Sequence, residues 1–196
     1  AEIAGLEAQG CSFIQLDDPL LSFFCDPEAR EKMVAQGEDP DDLLDQYVRA
    51  INAAVSTRSP STTIGLHICR GNARSAWAVS GGYAAIAEQT FPVLDVDTYY
   101  LEFDDERAGD FQPLSAVPES AAVVLGLVTS KRGELESADE LKRRLDEASG
   151  FIDADQLALS PQCGFASILE GNIITEDEQW AKLRLISEIA ADYWAE

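Results

Sequence analysis

Thr63-Ile64-Gly65-Leu66-His67-Ile68-Cys69 reads as a strand that runs out of its apolar stretch onto two metal-binding side chains. Alternate side chains of an extended segment point the same way, so His67 and Cys69 can reach one ion from the strand's C-terminal end. Thr98-Tyr99-Tyr100-Leu101-Glu102 has the same form, an apolar strand closing on a carboxylate. Ser12-Phe13-Ile14-Gln15-Leu16-Asp17 repeats it and is stopped by Asp18-Pro19. Ala122 to Val128 gives a fourth strand, and Gln156 to Ser160 a fifth that leads into Pro161-Gln162-Cys163.

Helical stretches lie between these runs. Asp41 to Val55 carries Leu44, Tyr47, Val48, Ile51 and Val55 at the spacing of one helical face. Gly81-Gly82 opens a predicted helix through Tyr83, Ile86 and Ala87. Ser137 to Ala148 is predicted helical, with Ser137 and Glu140 able to form a capping box. From Thr175 a long helix runs to the end, with Thr175 and Glu178 suited to a second capping box and Trp180, Leu183, Ile186, Ile189, Ala190 and Trp194 expected to be buried. Strand and helix alternate throughout, which implies parallel strands covered by helices.

Asp17, His67, Glu102 and the turn from Ser160 to Cys163 all fall at C-terminal strand ends. In a parallel α/β barrel those ends share one face, and that face carries the active site. The expected fold is therefore α/β, the C-terminal part (about five β/α units) of a TIM (β/α)8 barrel, with residues 1–196 forming one portion of a single domain. The missing strands are expected upstream. Ala1 to Ala8 reads as a helix already under way, no initiator Met precedes it, and the chain is expected to begin inside a larger protein.

Composition excludes some functions. Against 36 Asp and Glu stand only 14 Lys and Arg, for a net charge of −22. Such a protein repels phosphate backbones and anionic membrane surfaces, so neither nucleic acid nor membrane is an expected partner. No apolar run approaches the roughly 18–20 residues of a membrane-spanning helix, and no secretory signal opens the sequence. The four cysteines, Cys11, Cys25, Cys69 and Cys163, are unevenly spaced. A cytoplasmic location is expected, where cysteines serve as ligands or core residues more often than as disulfides.

His67, Cys69, Glu102 and Cys163 together form a tetrahedral zinc set, with Zn2+ as the expected cofactor. Two thiolates and a carboxylate outweigh the charge of a divalent ion. That leaves an electron-rich site poorly suited to making a potent hydroxide and better suited to activating a thiol. Each residue also has a simpler reading. The lone His67 can be a satisfied core histidine, Cys69 and Cys163 small buried hydrophobes, and Glu102 one solvated acid among many.

Ile14-Gln15-Leu16-Asp17-Asp18-Pro19, Leu66-His67-Ile68-Cys69, Tyr100-Leu101-Glu102 and Ser160-Pro161-Gln162-Cys163-Gly164 resemble, in order and over essentially the whole chain, the cobalamin-independent methionine synthase family. His67-Ile68-Cys69-Arg70-Gly71-Asn72, the run from Asp104 to Asp110 and the run from Leu159 to Ser167 resemble a short subgroup that has the barrel without the long N-terminal duplicate domain. The resemblance implies that His67, Cys69, Glu102 and Cys163 bind a catalytic zinc. It implies also that the zinc holds a homocysteine-like thiol as a thiolate, and that a methyl-folate or another methyl donor alkylates it. Asp17 falls where the family contacts the amino group of homocysteine, with Asp18 replacing the family's Glu, so Asp17 is expected to be catalytic and substrate-binding, together with His67. Its simpler role is to cap the turn beside Pro19.

The sequence departs from the family at Leu127-Val128-Thr129-Ser130-Lys131. Full-length members carry a histidine there to protonate the leaving folate, and this chain has a single His, at 67. Opening of an epoxide, as in the related coenzyme M transferases, and a non-catalytic zinc-binding fragment are the alternatives. An ammonium-reading Asp17 weighs against the first. Arg70, Asn72 and Arg74 are candidates to meet an anionic substrate tail, with surface salt bridges the expected role of Arg74. Arg107 is expected to order its own loop, Trp77 to line the pocket or pack under the loop, and Cys11 and Cys25 to be structural.

Overall fold

The structure, a computed structural model, describes residues 1–195. Strands β1 (Phe13–Asp18), β2 (Thr63–Ile68), β3 (Thr98–Glu102), β4 (Ala122–Val128) and β5 (Leu157–Pro161) form one sheet in the order β1-β2-β3-β4-β5. Every neighbouring pair is parallel. Each crossover therefore steps the chain one strand along in the same direction, with no point at which the order reverses. A doubly wound sheet has such a reversal, and an arc of a (β/α)8 barrel does not.

Helices α1 (Glu2–Ala8), α2 (Pro27–Ala35), α3 (Pro40–Val55), α4 (Ala87–Thr90), α5 (Ala138–Ser149) and α6 (Glu176–Tyr193) accompany the strands. The core lies between them. Ile64, Leu66 and Ile68 of β2, Tyr99 and Leu101 of β3, and Val123, Leu125 and Leu127 of β4 are buried together with Leu44 and Val48 of α3 and Leu141 and Leu145 of α5. Each such aliphatic side chain contributes roughly 1.5–3 kcal/mol by leaving water. The alternate positions, among them Asp17, His67, Tyr100 and Glu102, take the opposite face. Register sets Asp17 beside His67 and His67 beside Tyr100.

Two helices start on an Asp-Pro pair. Asp26 accepts from the N–H groups of Glu28 and Ala29, and Asp39 from those of Asp41 and Asp42, with Pro27 and Pro40 opening the first turn. Helix α2 buries no residue, so apolar periodicity does not reveal it. The expected helix after Gly81-Gly82 is instead a 3-10 turn, Tyr83–Ala85, followed by the four residues of α4. Gly81 has φ +96, and a Cβ there would overlap the Cys25 carbonyl, so the glycine is demanded by a turn and a close backbone approach.

The capping box at Thr175 and Glu178 is complete, whereas that of Ser137 is half formed. Ser137 accepts from Glu140 N–H, but the Glu140 carboxylate turns to Arg143 at 2.6 Å. On α6 the expectation for Trp180 is wrong. It is 50% exposed, with its indole N–H donating to Glu176, and the face turned inward carries Lys182 and Ile189. No helix among the described residues is long and apolar enough to cross a membrane.

Candidate metal centre

Three strand ends deliver the four donor atoms. His67 is the penultimate residue of β2, and Cys69 follows that strand. Its N–H donates to the Asp18 carbonyl at 3.0 Å, which keeps the backbone extended and both side chains on one face. Glu102 closes β3 and is fully buried. Its N–H donates to the Tyr83 hydroxyl at 2.9 Å, and its Oε1 accepts from Arg70 N–H at 3.1 Å. Arg70 lies over the Tyr83 ring at 4.3 Å and donates to the Gly81 carbonyl at 2.6 Å, so the two side chains brace the wall behind the carboxylate.

Cys163 hangs on the loop after β5, and side-chain amides fasten that loop. Ser130 N–H donates to Gln162 Oε1 at 2.6 Å, and Asn72 Nδ2 donates to the Gly164 carbonyl at 2.8 Å. Asn72 and Arg70 are thus built into the scaffold rather than facing a substrate tail.

The donor atoms of His67, Cys69, Glu102 and Cys163 all lie within 4.8 Å of one another. His67 Nε2 is 3.2 Å from Glu102 Oε1, and Cys69 Sγ is 3.9 Å from Cys163 Sγ. A tetrahedral zinc ion, with Zn–S near 2.3 Å and Zn–N or Zn–O near 2.0–2.1 Å, sets edges of about 3.8 Å between sulfurs and about 3.3 Å between nitrogen and oxygen. The observed edges match both, and the residues present fit the ion.

Protonation follows from the crowding. Cys163 is held well below the usual thiol range by the Cys69 hydrogen bond, against the effect of burial and with help from His67 and Ser167. Cys69, the donor of that bond, is pushed up by it and by burial. Burial works against charging His67, but hydrogen bonds to Cys163 and Glu102 and their negative charge prevail and raise its pKa to about 9. The cluster therefore holds protons on His67 and Cys69 beside the Cys163 thiolate.

Asp17 stands at the mouth, on a cavity of about 350 Å³ shared with His67, Tyr100, Ser160, Cys163 and Ser167. It does not cap the turn. Asp18 does, accepting from Leu20 and Leu21 N–H at 2.7 and 2.9 Å. The Asp17 carboxyl is held above its ordinary range, chiefly by partial loss of hydration, with His67 opposing and Cys163, Glu102 and Asp18 reinforcing the shift.

Other candidates separate from this group. Arg74 makes no ion pair among the described residues; it lines a second cavity with Trp77, Lys131 and Arg132. Arg107 pairs with Asp105 at 2.6 Å and covers the Trp77 ring at 4.5 Å, ordering its own loop. Cys25 is buried and pushed up to about 11 by that burial, and Cys11 donates to the Phe13 carbonyl. Tyr83, Ser167 and Lys131 are additions that no spacing in the sequence announces.

Residues 1–191 match the profile of a family described as the catalytic domain of cobalamin-independent synthase. YxjH of Bacillus subtilis (strain 168) is 51% identical over 186 residues, 94% of this chain and 49% of that protein. The methionine synthase of Pyrococcus abyssi is 26% identical over 163 residues, 83% of this chain and 39% of that protein. A Listeria monocytogenes structure, described as a candidate vitamin-B12-independent methionine synthase, superposes with a TM-score of 0.76 at 35% identity, covering 100% of this chain and 52% of that one. The chain thus spans about half, or less, of the length of the relatives it matches.

Proposed function

Because the chain belongs to the cobalamin-independent synthase family through its catalytic domain, and because four donors cluster within 4.8 Å with their His67–Glu102 and Cys69–Cys163 edges at tetrahedral zinc spacing, we propose that it forms the zinc-binding portion of a thiol S-methyltransferase. In this reading residues 1–196 are the C-terminal part of one barrel, completed by strands from the rest of the protein. The substrate is a homocysteine-like amino-acid thiol, and a methyl-folate or other methyl donor supplies the carbon. The observation that carries the reading is the convergence of His67, Cys69, Glu102 and Cys163 within 4.8 Å.

His67, Cys69, Glu102 and Cys163 hold the ion. Zn2+, when bound, supplies the Lewis acidity that lets a thiol lose its proton near neutral pH. The chain's own residues do the rest. Asp17, at the mouth of the same cavity, accepts the substrate's ammonium in a charged hydrogen bond worth about 1.5–3 kcal/mol, which fixes the sulfur's approach. Ser160, Ser167 and Tyr100 line the remaining wall. The sulfur attacks the donor's methyl carbon, the S–C bond forms as the bond to the leaving group breaks, and the leaving group departs with the electron pair. With a single histidine in the sequence, already in the cluster, its proton comes from another group or from water.

The test uses the complete protein. Zinc content is measured first, then methionine formation from homocysteine with methyl-folate and with simpler methyl donors, against a sulfonated thiol as competitor. Methylation of the amino-acid thiol supports the reading. Zinc held tightly with no transfer from any donor contradicts the enzymatic part of it.

A further inference from the structure

One oxygen of the cluster is unaccounted for. Glu102 Oε1 faces His67 Nε2 and the Arg70 N–H, but Oε2 is buried with no hydrogen-bond partner among the described residues. The cation nearest to it is Lys131, whose Nζ stands 3.8 Å from Oε2 and 3.7 Å from Asp104 Oδ2. That ammonium is itself buried without a hydrogen bond, on a side chain only 7% exposed. A lysine so placed is costly unless its charge is matched, and the two acidic groups facing it are Glu102 and Asp104.

The loop carrying Lys131 is firmly anchored. Lys131 N–H donates to Thr129 Oγ1 at 3.2 Å, and Thr129 N–H donates to Glu136 Oε1 at 2.9 Å. Glu136 is gripped by the fully buried Lys182 of α6 at 2.9 and 3.0 Å. The route from α6 to the cluster is therefore Lys182, Glu136, Thr129, Lys131, Glu102. Nothing in this strut touches the substrate cavity at Asp17.

We propose that Lys131 is a positioning residue of the metal centre. Its ammonium faces Glu102 Oε2 at 3.8 Å as an ion pair, so that the carboxylate offers Oε1 to the ion, and its charge offsets the excess negative charge of the ligand set. The inference rests on the reading of His67, Cys69, Glu102 and Cys163 as a metal centre. A carboxylate with both oxygens free can chelate a divalent ion and raise its coordination number; one oxygen paired with an ammonium would keep the carboxylate to a single bond with the ion.

Cobalt(II) substitution reads this without any turnover, because d–d band intensity is high for four-coordinate and low for higher-coordinate cobalt. In the full chain, Lys131→Met is expected to bind cobalt but to lose about twofold or more of its visible absorptivity as Oε2 joins the ion. Lys131→Arg, which retains a cation, is expected to keep the parent spectrum. Circular dichroism checks folding, and Lys131→Gln serves if the methionine variant does not fold. A neutral variant whose cobalt spectrum superposes on the parent's overturns the proposal while leaving the metal centre intact. A parent chain that takes up no cobalt or zinc overturns the metal centre and this inference together.

Discussion

Cys69 Sγ and Cys163 Sγ lie 3.9 Å apart although 94 residues separate them in the chain. A disulfide needs about 2.05 Å, so the pair is a dithiol, and its spacing is that of two sulfurs on one tetrahedral ion. Cys69→Ser and Cys163→Ser should each weaken zinc binding by about 10²–10³-fold, the share of one ligand in a four-ligand structural-type site. Chelator competition measures this. Equal affinity in parent and variants would remove sulfur from the site.

Metal uptake should release protons. The His67 pKa is about 9 and Cys69 is raised, while Cys163 is lowered and already ionised. Near pH 7 an incoming ion therefore displaces about two protons, and apparent affinity climbs with pH, less steeply above about pH 9 where only the Cys69 proton remains. Titration calorimetry in buffers of different ionisation enthalpy counts them. Affinity that is flat across this range contradicts the protonation pattern.

In the metal-free chain the same shift is opposed by a second one. A folded-state pKa above the ordinary histidine value of about 6.5 means that protonation of His67 stabilises the fold fully below that value, and that this contribution is lost as pH rises through about 9. The lowered Cys163 thiol, ionised in the folded chain and protonated in the unfolded one, offsets this contribution, so melting temperature in excess chelator should stay nearly level across this window while it rises in excess zinc. Parallel curves with and without metal would show that His67 is not a ligand.

Asp17→Asn should leave zinc content unchanged and raise the KM or Kd for an amino-acid thiol by about 10–150-fold, the loss of one charged hydrogen bond. A thiol lacking the amino group should feel no effect. Discrimination between the two thiols that survives the substitution would take the ammonium away from Asp17.

Tyr83→Phe should cost about 1–3 kcal/mol in urea unfolding, because it leaves the buried Glu102 N–H without its acceptor. The loss should be smaller in zinc-loaded protein, where the ion holds Glu102 in place.

The candidate site was legible because barrel strands obey a period of two and its proposed ligands lie at or just beyond strand ends. Asp17, His67 and Glu102 fall on one face by alternation alone, and Cys69 joins them by keeping the strand extended for one more residue. The braces were not legible. Tyr83, Lys131 and Lys182 are residues whose burial depends on a partner from a distant element, and no local pattern encodes such a partner. Trp180 misled because helical phase there is set by Lys182, whose buried ammonium is satisfied by the Glu134 carbonyl and Glu136. Helix α2 escaped because it buries no residue, although Asp26-Pro27 was a readable start.

X-ray absorption at the zinc edge of the loaded protein tests the central claim most directly. Two sulfur scatterers near 2.3 Å and two nitrogen or oxygen scatterers near 2.0–2.1 Å are predicted. A first shell of light atoms alone, or a sulfur shell that persists in the Cys69→Ser Cys163→Ser double variant, would contradict it.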